Sequence, residues 1–221
     1  MKILTFCFSL LFLLSCDTSK KIISKPIIFD DLRTQLTLEY LANHYGLHQE
    51  KPTITPIMIV LHWTAIPTLE KTFEAFNSPT LSNSRPDIKS VSALNVSSQF
   101  VVDQDGTIYR LMPETTMARH VIGLNHCAIG VENVGGTKDK PLTEAQIKAN
   151  IWLVKYLAKK YDIDYLIGHY EYTNFEGTDL WLEKDAGYRT EKTDPGEDFL
   201  NAVKEGTKEL HLKYAPKKTI N

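Results

Sequence analysis

Short apolar runs alternate with stretches of helical period over most of the chain. Ile57-Met58-Ile59-Val60-Leu61 is an unbroken apolar run of buried-strand type. Phe100-Val101-Val102 leads through Asp103-Gln104-Asp105-Gly106 into Thr107-Ile108-Tyr109, the Asp-Gly pair marking a hairpin. Ala128 to Glu132 and Tyr165-Leu166-Ile167 read as further strands. Between them, Thr143-Glu144-Ala145-Gln146 is a capping box. Ile147, Ile151, Val154, Ala158 and Tyr161 then keep one helix face apolar for about four turns. Thr68 to Asn77 and Pro195 to Leu210 predict two more helices, and Leu32, Leu36, Tyr40 and Leu41 a short amphipathic one before Pro52. Strands alternating with helices, plus one hairpin, predict an α/β fold: a single domain with a mixed central β-sheet flanked by helices on both faces.

Composition narrows the class without naming it. With 25 Lys+Arg against 27 Asp+Glu in 221 residues, the near-neutral balance argues against a nucleic-acid partner. Hydrophobic residues at 43% and charged residues at 24% exclude intrinsic disorder and a polytopic membrane protein. Of three cysteines, only Cys127 lies in the body, so no disulfide framework can form. The N-terminus reads as an address. Lys2 precedes an apolar run from Ile3 to Leu14, too short for a mature span of about 20 residues. Leu13-Leu14-Ser15-Cys16 follows and resembles a bacterial lipobox. The expectation is an exported protein, lipidated at Cys16 and anchored to the periplasmic side of an inner or outer membrane; plain signal cleavage or an uncleaved anchor are the alternatives. Residues 1–16 then form the signal, 17–51 a tether with a polar basic spacer from Ser19 to Pro26 and the N-terminal helix, 52–212 the main domain and 213–221 a tail.

Chemistry collects where the strands end. His62 follows the first strand, Glu132 ends another, and His169 comes two residues after Ile167. Groups just beyond strand ends of an open α/β sheet share a crevice. Each also has a plain reading: a hydrogen-bonded structural histidine, or a buried salt-bridge partner for Glu132. Asp194-Pro195 looks like a helix N-cap followed by Pro at the first helical position, and Lys192 like a solvated charge. His44 and His48, four apart, suggest a metal pair on one helical face, but Gly46 between them breaks the helix.

Five segments occur in order: Val60-Leu61-His62-Trp63-Thr64-Ala65, Ser97-Ser98-Gln99-Phe100 through Tyr109, Ile129-Gly130-Val131-Glu132-Asn133, Ile167-Gly168-His169 and Lys192-Thr193-Asp194-Pro195-Gly196. Together they resemble the zinc-dependent N-acetylmuramoyl-L-alanine amidases of the amidase-2 class, relatives of the peptidoglycan recognition proteins, over roughly Pro52 to Leu212. The resemblance implies that His62, His169 and Asp194 bind Zn2+, that Glu132 is the general acid/base, and that Lys192 stabilises the oxyanion. It places His120 near the site, to contact substrate or steady an intermediate, with a surface-loop histidine as the alternative. Trp63 either walls the cleft or packs beneath it. Gln99 stands where the family often has His. The aromatic, acidic stretch from Tyr170 to Glu191 is long enough to suggest a functional loop. The implied activity is hydrolysis of the amide between the lactyl group of N-acetylmuramic acid and L-Ala, by a monomer acting on peptidoglycan or muropeptide fragments. A non-catalytic recognition module, a zinc peptidase acting on another cell-wall amide and a purely structural lipoprotein remain as alternatives.

Overall fold

The computed structural model describes residues 21–82 and 86–217. The expected signal segment and Cys16 lie outside the described residues, and among those described no helix is long and apolar enough to cross a membrane. Six strands form one mixed sheet: β1 (Ile22–Ser24), β2 (Met58–Trp63), β3 (Phe100–Val102), β4 (Ile108–Arg110), β5 (Ala128–Asn133) and β6 (Tyr165–Gly168). Their spatial order is β1-β4-β3-β5-β2-β6, and only β3 and β4 run antiparallel. That pair is the expected hairpin. Gly106 takes φ +83° in its turn, a region where a side chain would be strained.

The two faces of the sheet are covered differently. Ile59, Leu61, Ile129, Val131 and Leu166 meet α4 (Glu144–Lys160) and α5 (Glu197–Gly206) in one apolar cluster. On the other face, Met58, Val60, Ala128 and Ile167 pack beneath α1 (Asp31–Tyr40) and the π-helical turn Leu41–Tyr45 that continues it. Helix α2 (Leu69–Asn77) closes a third cluster over Val101 and Leu111, and a short α3 (Pro86–Lys89) follows.

The N-terminal region departs from the expected spacer. Ile22–Ser24 is a sheet strand, parallel to β4, and backbone bonds continue from Lys25 and Ile27 to the carbonyls of Arg110 and Leu111. Backbone pairing at an otherwise open edge outweighs the polar character of the segment.

Helix α1 also turns an unexpected face inward. Leu32 is 47% exposed, whereas Arg33 and Thr37 are buried. One Arg33 guanidinium nitrogen donates to the carbonyls of Phe76 at 2.8 Å, Asn77 at 3.3 Å and Ser78. These lie at the C-terminal end of α2, where carbonyls lack intrahelical partners and a cation is favoured. Burial lowers the Arg33 pKa to about 10, so it still carries its charge at neutral pH.

Helix α4 shows the same substitution of polar for apolar. Thr143 forms the expected capping box with Gln146. The buried stripe, however, is Gln146, Ala149, Asn150, Leu153, Val154 and Leu157, and the predicted Ile147, Ile151 and Ala158 are only half-buried. Gln146 Nε2 donates to the carbonyls of Val102 and Val134, where strand pairing ends.

Candidate metal centre

Register brings the site together. Parallel pairing of β2 with β5 sets His62 beside Glu132 and Val60 beside Gly130, and pairing of β2 with β6 sets Leu61 beside Gly168. Side chains alternate along a strand, so His62 and Glu132 share the face of Met58, Val60 and Ala128, away from α4. A slip of one residue would turn His62 under that helix. His62 lies within β2 rather than after it, and its carbonyl accepts from Asn133 Nδ2 at 2.9 Å. Asn150 of α4 in turn donates to Asn133 Oδ1 at 2.7 Å.

His169 opens the 3-10 turn His169–Phe175, whose preceding Gly168 N–H is held by Glu171, itself paired with Lys204 of α5. Asp194 is not a helix cap. Helix α5 begins at Glu197 with Gly196 before it at φ +84°, and no side chain caps it. Gly196 N–H bonds back to the Thr193 carbonyl, while the Asp194 carbonyl accepts from Tyr170 N–H. This bend frees the Asp194 carboxylate to turn toward the histidines.

His62 Nδ1, His169 Nδ1 and Asp194 Oδ2 form a triangle 3.0 Å on every side. All three residues are buried. Three lone-pair-bearing atoms at this spacing cannot all be satisfied by the one proton that fits between them, and a cation satisfies all three at once. Burial and the neighbouring His62 ring lower the His169 pKa to about 4. Burial alone would raise Asp194, but the adjacent His169 and His62 rings hold it well below the ordinary carboxylate range. At neutral pH the set therefore carries the deprotonated His169 and Asp194 that a metal requires. Two imidazoles and a carboxylate, facing a cleft where water can reach the remaining position, suit Zn2+.

That cleft has a volume of about 650 Å3 and is bordered by the triangle, Glu132 and Lys192. The two expected catalytic groups thus share one cavity with the metal donors. Its far wall runs through Phe76, Ser78, Leu81 and Asn95, and the Ser78 carbonyl is one of those that Arg33 holds. Trp63 also borders the cleft, and its ring packs closely against Gly136 and near Gly196, so it both walls the site and supports the loop carrying Asp194.

His120 borders the same cleft and is buried, so it is not a surface-loop histidine. Its Nδ1 lies 3.0 Å from His62 Nε2 and its Nε2 lies 3.3 Å from the Ala128 carbonyl, so both ring nitrogens meet protein groups. Burial, then the adjacent His62 ring, pushes its pKa well below the ordinary value. Several side chains of the Tyr170 to Glu191 stretch are turned inward, and others are exposed. Tyr172 exchanges hydrogen bonds with Thr190, Trp181 lies against Gly123, and Glu183 accepts from His44 at 2.9 Å in a buried pair. His44 is thereby a docking group for the N-terminal helix. Burial raises the Cys127 thiol to about 12, consistent with a small hydrophobe.

Asn125, Gln146 and Asn150 carried no readable signal of site function, since buried amides look like ordinary polar residues in a sequence. Gln99 Oε1 accepts from Gly130 N–H at 2.7 Å, directly beneath the His120 ring.

A mixed sheet thus presents a buried His-His-Asp triangle that could hold a metal ion, on a cleft shared with Glu132 and Lys192. The chain belongs to the amidase-2 family, described as N-acetylmuramoyl-L-alanine amidase, whose profile it matches over residues 52–197. The endolysin of Escherichia phage T7 is 35% identical over 83 residues, 35% of this chain and 55% of that protein, so the chain spans about half the length of this curated relative. The amidase LysC of Clostridium intestinale URNW superposes with a TM-score of 0.53 at 21% identity, covering 88% of this chain and all of LysC. Peptidoglycan recognition protein LE, solved with tracheal cytotoxin, a monomeric diaminopimelic acid-type peptidoglycan, gives 0.50 at 14% identity over 83% of this chain and 92% of that one. At these identities the two structures establish a shared fold.

Proposed function

We propose that this protein is a zinc-dependent amidase that cleaves the bond between the lactyl group of N-acetylmuramic acid and L-Ala of a peptidoglycan stem peptide. The observation that carries the reading is the convergence of His62, His169 and Asp194 in one cleft with Glu132 and Lys192. Family membership supports the bond, and the donor chemistry supports the metal.

Bound by the triangle, Zn2+ would polarise the scissile carbonyl and lower the pKa of water toward about 7. Glu132 accepts the proton of the attacking water and returns it to the leaving amine of L-Ala. Lys192 holds an ammonium on the same cleft, opposing the negative charge that develops on the carbonyl oxygen. Trp63, Phe76, Ser78, Leu81 and Asn95, which line the cleft, are the groups that would meet the substrate.

The N-terminal lipobox supports export, acylation at Cys16 and action at a bacterial membrane, in remodelling or recycling of cell-wall material. Recognition relatives with the same fold leave a binding-only role as the second reading, and the complete donor set with its acid/base and cation weighs against it. Mass spectrometry of purified muropeptides incubated with the protein decides between them. Free stem peptide beginning at L-Ala, abolished by chelator and restored by zinc, is expected. Intact substrate despite bound zinc and retained binding would assign the recognition role.

A further inference from the structure

We propose that His120 is the positioning residue of the metal centre: it fixes the His62 ring in the tautomer and orientation that leave Nδ1 bare for a metal. The inference rests on the reading of the His-His-Asp triangle as a zinc site.

Hydrogen-bond polarity carries it. The Ala128 carbonyl can only accept, so His120 Nε2 carries the proton of that 3.3 Å contact. Neutral His120 then offers a lone pair at Nδ1, and the 3.0 Å contact to His62 Nε2 is satisfied only if that nitrogen is the donor. His62 with its proton on Nε2 has none on Nδ1, the atom that faces His169 and Asp194. In the metal-free protein a proton on His169 Nδ1 serves Asp194 Oδ2, and His62 Nδ1 stays without a proton beside both. The opposite polarity would set a bare His120 Nε2 against a carbonyl oxygen. An outer group that fixes the tautomer of a metal-binding imidazole is a known physical device.

The seat of the ring is built as specifically as the contact. A Cβ at Gly130 would fall 2.8 Å from the His120 ring, so only glycine leaves room on β5 at that point. The ring meets His62 edge to face, with centroids 5.1 Å apart and an interplanar angle of 88°. Asn125 Oδ1 accepts from the backbone N–H groups of both His120 and Val121 at 2.8 Å. Asn125 Nδ2 in turn donates to Tyr45 Oη at 2.9 Å. Tyr45 ends the π-helical turn after α1, outside the segment the family profile matches, so the N-terminal helix reaches the metal centre through three residues.

The test compares His120→Leu with His120→Asn, whose Oδ1 stands close to the place of Nδ1 and can still accept from His62. Zinc affinity is measured by competition with a chromophoric chelator, and the His62 tautomer by 15N NMR of the metal-free protein. The expected result is about 10- to 100-fold weaker zinc binding for His120→Leu. Substantial recovery is expected for His120→Asn. In wild type and His120→Asn the His62 proton resides on Nε2, and in His120→Leu it shifts toward Nδ1. Wild-type affinity with an unchanged tautomer in a folded His120→Leu protein overturns the proposal. So does equal loss in both variants with the tautomer unmoved. If wild type itself takes up no zinc, the zinc reading fails, and the NMR comparison still decides the role of His120.

Discussion

The two faces of the central sheet are built to different rules. Toward α4 and α5, the strands present Ile59, Leu61, Ile129, Val131 and Leu166, and the inner side of those helices answers with Leu153, Val154, Leu157, Leu200 and Val203. Toward α1, the same strands begin with Met58, Val60 and Ala128 but end in His62 and Glu132. The first face gains stability from area removed from water. The second gives up apolar area at its end, and its polar groups are held by other polar groups: Asn133 on His62, His120 on His62, Asn125 on His120. The candidate metal site is thus a local exchange of packing for directed contacts, backed on the opposite face by an apolar cluster.

Substitutions separate the two rules. Asp194→Ala removes one corner of the triangle, and equilibrium dialysis with metal analysis should show zinc affinity lowered by more than the roughly 100-fold reached by outer groups. Unchanged stoichiometric binding would contradict the ligand assignment. Glu132→Gln and Lys192→Met should retain zinc but lower kcat by about 100- to 1000-fold on a muropeptide substrate. Loss of zinc in either would move that residue into the donor set. On the apolar face, Leu153→Ala should cost about 2–5 kcal/mol in urea unfolding. Zinc affinity of the folded molecules should stay as it was, and a coupled loss would mean that the faces are not independent.

Acid should weaken the polar side through its histidines. Burial holds His126 to about 4, and burial with the His62 ring holds His169 to about 4, against an ordinary 6.5. Between those values the unfolded chain takes up protons that the folded chain does not. Stability of the metal-free protein is therefore full above about pH 6.5 and falls as pH drops toward 4. Urea midpoints at pH 7 and pH 5 measure this, and His126→Asn should flatten the difference. A midpoint independent of pH would contradict both assignments. The smallest expected effect is that of Tyr45→Phe, which removes the acceptor of Asn125 and should cost about 1 kcal/mol in thermal unfolding.

Much of this was readable from residue order. The strands, the hairpin and the capping box at Thr143 follow from apolar runs and turn residues, and the donor triad is what the family resemblance of five ordered segments implied. The helix faces were not. A hydrophobic pattern chooses Leu32 over Arg33 and Ile151 over Asn150, because it scores each side chain against water and cannot know of unpaired carbonyls at the end of α2 or of Asn133 beneath α4. The same blindness hid Asn125. Asp194 read equally well as a cap, and only the bend at Gly196, which starts the helix two residues later than Pro195, removes that reading. β1 was missed because three residues with one polar neighbour after another carry too little periodicity to announce a strand.

Under the proposed acylation of Cys16, that first strand would set the length of a leash. Only residues 17–21 separate Cys16 from Ile22, where the sheet begins. A fully extended backbone covers about 20 Å over that distance. If Cys16 carries the lipid, the β1 edge stays close to the headgroups, and the domain tumbles about that edge with little freedom to roam. An amidase so held would sample a thin layer beside the membrane, and cell-wall material would have to enter that layer to be cut.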